Sequence, residues 1–214
     1  MRGLFITFEG NDGSGKSSAI KAVYNKLQEL GYNVVLSREP GGSPIAEKIR
    51  EIILDKSNVG MDSWTEALLY AASRREHIQK TILPALKDGK IILCDRFLDS
   101  SLAYQGGARH LGIDKVNELN QFATEGLTPD LTIFVCVHPE VGLARIKKNL
   151  RDMDRLELET IEFHHNVYDS YIQLCENDPK RIIRIDGEMT QNEVAEVTTA
   201  AVLHFLKENR ENDN

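Results

Sequence analysis

Gly10-Asn11-Asp12-Gly13-Ser14-Gly15-Lys16-Ser17 follows directly on the apolar run Leu4-Phe5-Ile6-Thr7-Phe8 and opens a helical spacing of Ile20, Val23, Leu27 and Leu30. These eight residues fit G-x-x-x-x-G-K-[ST] in the setting the pattern requires, a strand before and a helix after. Glycine lacks the Cβ that would obstruct the loop, so successive N–H groups can turn inward around an anion. Lys16 is placed to carry positive charge between the β- and γ-phosphates, and the Ser17 hydroxyl to ligate Mg²⁺. The N-terminus of a helix over 16–30 adds its partial positive charge. The plain alternative is a Gly-rich turn, and it does not explain all eight positions. Gly10 to Ser17 is therefore expected to bind the phosphates of a nucleoside triphosphate.

Outward from this loop the chain repeats one theme: short apolar run, turn, helical pattern. The runs are Leu4–Phe8, Val34–Ser37, Ile91–Cys94, Leu131–Val137 and Ile182–Ile185. They are rich in Val, Ile and Leu without polar alternation, which predicts strands buried on both faces. Helical spacings separate them, such as Ile161, Tyr168, Tyr171 and Cys175, or Val194, Val197, Ala201 and Phe205. The expected fold is α/β: a P-loop NTPase-like, five-stranded parallel sheet with helices on both faces. Ligands in such sheets bind at the carboxyl ends of the strands, so function is sought there.

Composition narrows the class further. The 214 residues are 41% hydrophobic and 28% charged, a globular balance, with no linker to part them into domains. A single domain over 1–214 is expected. The net charge of −7 argues against a nucleic-acid or anionic-membrane binder, so an anionic ligand must be met by a local basic cluster. Cys94, Cys136 and Cys175 are odd in number and lack metal-ligand spacing, which favours a reducing compartment. No apolar run approaches a membrane span and the N-terminus does not read as a signal peptide, so a cytoplasmic protein is expected. A GTPase switch would need an N-K-x-D guanine reader and a D-x-x-G loop outside the phosphate loop, and neither appears. A small kinase acting on another small molecule remains.

Three more stretches decide which. They are Arg38-Glu39-Pro40-Gly41-Gly42, Leu68-Leu69-Tyr70-Ala71-Ala72-Ser73-Arg74-Arg75-Glu76-His77, and Asp95-Arg96-Phe97-Leu98-Asp99-Ser100-Ser101-Leu102-Ala103-Tyr104-Gln105. With the phosphate loop these resemble the bacterial thymidylate kinase family, whose patterns are R-E-P-G-G, L-[LF]-[FY]-A-x-x-R-x-x-H and D-R-[FY]-x-x-S-S-x-A-Y-Q. The resemblance implies a homodimer that uses ATP and Mg²⁺ to phosphorylate dTMP.

It also implies roles residue by residue. Arg96, after a buried strand, resembles the arginine on the acceptor phosphate, and a guanidinium fork suits that task. A structural pair with Asp95 is its alternative. Asp95 resembles the acidic residue that orients Mg²⁺ through water, and Arg50 a second group at the acceptor phosphate. Tyr70 sits where the family stacks an aromatic on thymine. Arg74, one turn on, resembles the donor to thymine O4. Gln105 and Ser101 resemble the readers of the N3 edge, and Tyr104 the aromatic that fills the space of a ribose 2′-hydroxyl. Asp12 resembles the carboxylate near the sugar 3′-hydroxyl, with a loop-capping role open to it. Glu39 could act through water or Mg²⁺.

Arg145, Lys147, Lys148, Arg151 and Arg155 stand against only Asp152 and Asp154. This run reads as the local basic cluster the net charge calls for, although most such runs are solvated helix faces. It ends in Asp154-Arg155-Leu156-Glu157, which resembles the D-R-[IL]-E of the family's lid, so a mobile lid is expected at about 145–157. Some members of the family carry a catalytic arginine in the phosphate loop. Gly13 stands at that position here, which matches the type whose lid supplies it and makes Arg151 or Arg155 the candidate. Two rivals remain: a kinase for UMP or CMP, disfavoured by Tyr104 and Gln105, and a regulatory nucleotide-binding protein without turnover.

Overall fold

The computed structural model describes residues 2–148 and 154–212. Five strands, β1 (Phe5–Glu9), β2 (Val34–Arg38), β3 (Ile91–Asp95), β4 (Leu131–Cys136) and β5 (Ile182–Asp186), form one parallel sheet in the order β2-β3-β1-β4-β5. Each strand lies within a residue or two of its expected run. The register sets Asp95 beside both Phe8 and Arg38, so the carboxyl ends of β1, β2 and β3 finish level.

The helices are α1 (Lys16–Glu29), α2 (Pro44–Leu54), α3 (Ser63–His77), α4 (Leu83–Lys87), α5 (Leu98–Ser101), α6 (Ile113–Thr124), α7 (Pro139–Lys148), α8 (Ile161–Asn177) and α9 (Gln191–Asn212). Ile6, Phe8, Leu93, Ile133 and Val135 face α1 and α9 from one side of the sheet, meeting Ile20, Val23, Leu27, Val194, Val202 and Leu206. Phe5, Ile92 and Cys94 face the other way, onto Ile78, Ile82, Leu86 and Phe97. Fully burying one such side chain contributes about 1.5–3 kcal/mol, so both faces hold the sheet.

Two readings are corrected. β1 and β4 are buried throughout and β3 up to its last residue, but β2 and β5 are only partly buried and each carries two exposed residues. They are the sheet's edges, with one neighbour each, and Leu36 of β2 is 45% exposed. On α9 the buried stripe runs Val194, Thr198, Val202 and Leu206, whereas Val197 is exposed. A stripe at i, i+4 follows the helix period as well as the spacing read from the sequence, and the sheet selects between them. Among the described residues no helix is long and apolar enough to cross a membrane.

Candidate active site

The phosphate loop closes on itself by backbone geometry. Gly10, Gly13 and Gly15 have φ of 148°, 74° and 90°. A Cβ at Gly13 would lie 2.1 Å from the Gly142 carbonyl oxygen, and one at Gly10 2.5 Å from that of Val135. The loop is thus pressed onto β4 and α7, and Asn11 Nδ2 donates to the Val137 carbonyl at 2.9 Å to hold it. No side chain fits at position 13, so this loop cannot carry its own arginine.

Asp12, Lys16 and Ser17 form one wall of a cavity of about 360 Å³. Around it stand Arg38, Glu39 and Pro40 after β2, Arg50 of α2 and Tyr70 of α3, with Asp95, Arg96, Ser100, Tyr104 and Gln105 from the β3 side. Leu54, Asp154, Leu156 and Glu157 also line it. Gly13, Ser14, Gly15 and Ser18 border a second cavity of about 560 Å³, together with Arg145 and Gln191. The phosphate loop is the partition between the two.

Arg96 is the centre of the first cavity. Its Nη2 donates to Asp12 Oδ1 at 2.6 Å and to Tyr104 Oη at 3.2 Å, while Nη1 reaches Ser100 Oγ at 3.2 Å and Tyr171 Oη at 3.3 Å. Its ion-pair partner is therefore Asp12 rather than Asp95. Arg96 also holds φ at 71°, an unusual conformation for a side-chain-bearing residue and one often found at functional positions. Burial alone would raise the Asp12 carboxyl, but Arg96 and Lys16 outweigh it and hold it below the usual carboxylate range. Burial, and then Arg96, push the Lys16 ammonium below the ordinary lysine value.

Among the described residues, the positive charge facing this cavity comes from Lys16, Arg38, Arg50 and Arg96, which four separate elements bring together. None of it comes from the described part of the 145–155 run that the sequence pointed to. Arg145 donates to the Gly187 carbonyl at 2.8 Å, Lys147 and Lys148 are exposed, and Arg151 lies outside the described residues. Arg155 is buried, with Nη2 2.7 Å from Glu66 Oε2 and Nε donating to the Ile53 carbonyl. Its guanidinium is held within the protein and does not line the cavity.

Arg74 and Ser101 also lie behind the lining. Arg74 is 1% exposed and donates to Glu39, Ser101, Asn120 and the Phe97 carbonyl. Glu39 is held in turn by Arg74 at 2.8 Å and by His77 Nδ1 at 2.9 Å. Arg50 donates to the Pro40 carbonyl at 2.8 Å, and the Glu39–Pro40 peptide bond is cis. Tyr70, buried on α3, faces the cavity.

Among the described residues no group of three or more His, Cys, Asp or Glu side chains could hold a metal ion. Ser17 Oγ nevertheless donates to Asp95 Oδ2 at 3.0 Å, and the buried Asp95 Oδ1 has no partner. An oxygen pair with one vacant acceptor fits a hard cation whose remaining ligands are phosphate and water.

Sequence reasoning missed four contributors. Arg38 belongs to the R-E-P-G-G stretch, but its neighbour Glu39 drew the attention. Glu9, fully buried at the end of β1, accepts from the Phe97 N–H at 2.7 Å, from Ser100 Oγ at 2.5 Å and from Tyr171 Oη at 2.8 Å. Burial, and then Asp99, raise its pKa. Glu9, Ser100 and Tyr171 fix the turn that presents Arg96. A charged residue closing an apolar strand was the available signal.

The family profile for thymidylate kinase matches residues 8–197. A thymidylate kinase of Limosilactobacillus fermentum is 52% identical over 204 residues, covering 94% of this chain and 95% of the relative. The chain belongs to the thymidylate kinase family. A thymidylate kinase of Enterococcus faecalis is 51% identical over 98% of this chain and all of its own length. The crystal structure of the Ehrlichia chaffeensis thymidylate kinase superimposes with a TM-score of 0.76 at 32% identity, covering 94% of this chain and 99% of that one. For a thymidylate kinase, a cavity with four basic side chains on one side of the phosphate loop and a second cavity on the other is the arrangement a two-substrate transfer requires. Because Glu9 only positions Arg96, Glu9→Ala is expected to raise the KM for the acceptor. It should also lower the unfolding free energy by about 1–3 kcal/mol for each donor left buried and unpaired. Denaturant unfolding and acceptor titration check both effects.

Proposed function

We propose that residues 1–214 act as one kinase domain, transferring the γ-phosphoryl group of ATP to dTMP to give ADP and dTDP, for dTTP synthesis in the cytoplasm. The observation that carries this reading is the partition: Lys16 and Ser17 face one cavity while Gly13 and Gly15 border the other. ATP lies along the second cavity with its phosphates in the loop, and dTMP occupies the first.

The acceptor phosphate sits between Arg96 and Arg50, with Arg38 close by. Tyr70 stacks on thymine, and Gln105 meets its N3 edge. Arg74 engages at least four of its N–H groups within the protein, so its part in base recognition includes fixing Glu39 and Ser101. Tyr104 donates to Asp12 Oδ2 at 2.9 Å, which anchors the ring against the sugar. Ser17 and Asp95 would hold Mg²⁺, Asp95 through water. When bound, the ion would supply neutralisation of the charge on the reacting phosphates.

A phosphate monoester has a second pKa of about 6, so the acceptor is already anionic at neutral pH and needs no general base. The residues need to position two anions, neutralise them and exclude water. Lys16 and Arg96 serve the transferring group from the cavity side. A lid over 145–157 closes the other, and Arg151 is its catalytic arginine, since Arg155 is committed to Glu66 and position 13 admits no side chain. Arg151→Ala is expected to lower kcat by about 10³-fold. Arg155→Ala should chiefly lower the thermal midpoint. Normal turnover in both variants would remove the lid from the mechanism.

A homodimer fits the surface. The adjacent helices α2, α3 and α6 expose Ile45, Ile52, Trp64, Leu68 and Phe122, the last 86% exposed. Sedimentation of a Leu68→Asp variant, expected to be monomeric, tests this face. The function is tested by coupled ADP release with dTMP, dUMP, UMP, CMP and AMP as acceptors. Fast turnover on dTMP, less on dUMP and negligible turnover on UMP is expected. Equal rates on dTMP and UMP would refute the Tyr104 argument, and no turnover with any acceptor would favour a regulatory nucleotide-binding protein.

A further inference from the structure

Glu66 of α3 is fully buried and does not line the acceptor cavity, yet it touches a residue that does. One oxygen accepts from Gln105 Nε2 at 2.8 Å and from Arg109 Nε at 3.3 Å, and the other from Arg155 Nη2 at 2.7 Å and Arg109 Nη2 at 3.2 Å. Burial alone would raise its pKa, but Arg109, Gln105 and Arg155 outweigh burial and hold it below the usual carboxylate range. The group is an anion at neutral pH.

An ionised carboxylate can only accept, and a glutamine amide has one accepting end and one donating end. Facing Glu66, Gln105 must therefore turn its NH₂ inward, which leaves Oε1 for the cavity. Among the described residues nothing donates to that oxygen. Thymine and uracil carry a donor at N3, whereas cytosine carries a lone pair there.

We infer that Glu66 sets base specificity, locking the Gln105 amide so that only an acceptor atom meets the N3 edge of the incoming pyrimidine. The inference rests on the proposed contact between Gln105 and the base. Glu66 is a positioning residue, and the two arginines make its influence directional. In Glu66→Gln, Arg155 Nη2 and Arg109 Nη2 can only donate and share one oxygen, so together they claim the new carbonyl against the single, longer Arg109 Nε contact on the other. The NH₂ of residue 66 is left facing Gln105 and needs an acceptor. Gln105 then turns over and presents its own NH₂ to the base, which suits cytosine and opposes thymine.

The experiment measures the dissociation constants of dTMP and dCMP by calorimetry for the wild-type chain and three variants, with folding checked by circular dichroism. For Glu66→Gln the preference for dTMP over dCMP is expected to fall by roughly 10- to 100-fold, the range for one reversed buried hydrogen bond. Glu66→Gln combined with Gln105→Glu should restore the preference, because a carboxylate at 105 accepts from the amide introduced at position 66 and from N3–H alike. A merely structural role would weaken both nucleotides equally and leave their ratio unchanged, which overturns the inference. If the single variant does not fold, the double variant decides. It retains a carboxylate in the cluster, and a lost preference there overturns the inference while a kept one supports it. Gln105→Leu separates the two levels. An unchanged ratio in that variant removes the Gln105 contact itself, whereas a lost ratio there with an intact one in Glu66→Gln removes only the role of Glu66.

Discussion

Arg96→Ala is expected to lower kcat by about 10³-fold or more, with a rise in the KM for dTMP. Four oxygens already orient the guanidinium, those of Asp12, Ser100, Tyr104 and Tyr171, so little reorganisation is needed when an anion arrives. Its fork can hold the acceptor phosphate while keeping a contact to Asp12, a geometry an ammonium lacks. Arg96→Lys should accordingly recover only part of the loss. Removing the arginine also leaves Asp12 without its main counter-charge beside the acceptor. Steady-state kinetics with dTMP varied at saturating ATP check this, and a loss of kcat below tenfold would mean that Arg96 is structural.

Gly13→Ala is expected to cost at least tenfold in ATP affinity, and more than Gly15→Ala. Both positions have positive φ, where an L-residue costs about 1–2 kcal/mol. They differ in their surroundings. A Cβ at Gly15 meets nothing within 4 Å, whereas one at Gly13 would lie 2.1 Å from the Gly142 carbonyl oxygen. Two backbone segments must separate to admit that methyl group, and the loop N–H groups lose their aim at the phosphates. Gly142→Ala should act in the same direction, since its Cβ would lie 2.4 Å from the Asp12 carbonyl oxygen. Calorimetric titration of the three variants with ATP checks the order, and equal affinities for Gly13→Ala and Gly15→Ala would contradict it.

What could be read in the sequence was local. The eight-residue loop, the apolar strands and the three flanking stretches are contiguous patterns, and each lies at a strand end or on the helix expected of it. What could not be read depends on which side chains a fold brings together. The basic run at 145–155 stood out because its charges are neighbours in sequence, while Lys16, Arg38, Arg50 and Arg96 are dispersed along the chain and meet only in the cavity. Arg155 looked like a lid group because nothing in its segment reveals that Glu66, 89 residues earlier, is buried beneath it. Glu9 and Tyr171 show the same thing at longer range, since their bond joins β1 to α8. The edge strands were overread because an apolar run does not say how many neighbours a strand has.

The most direct test follows the phosphoryl group itself. The purified chain is incubated with Mg²⁺, dTMP and ATP labelled at the γ-phosphate, and the products are separated. Label appearing in dTDP, dependent on dTMP and abolished in Lys16→Ala, is the predicted result. Label released as inorganic phosphate at the same rate with or without dTMP would contradict the transfer and leave an ATPase in its place.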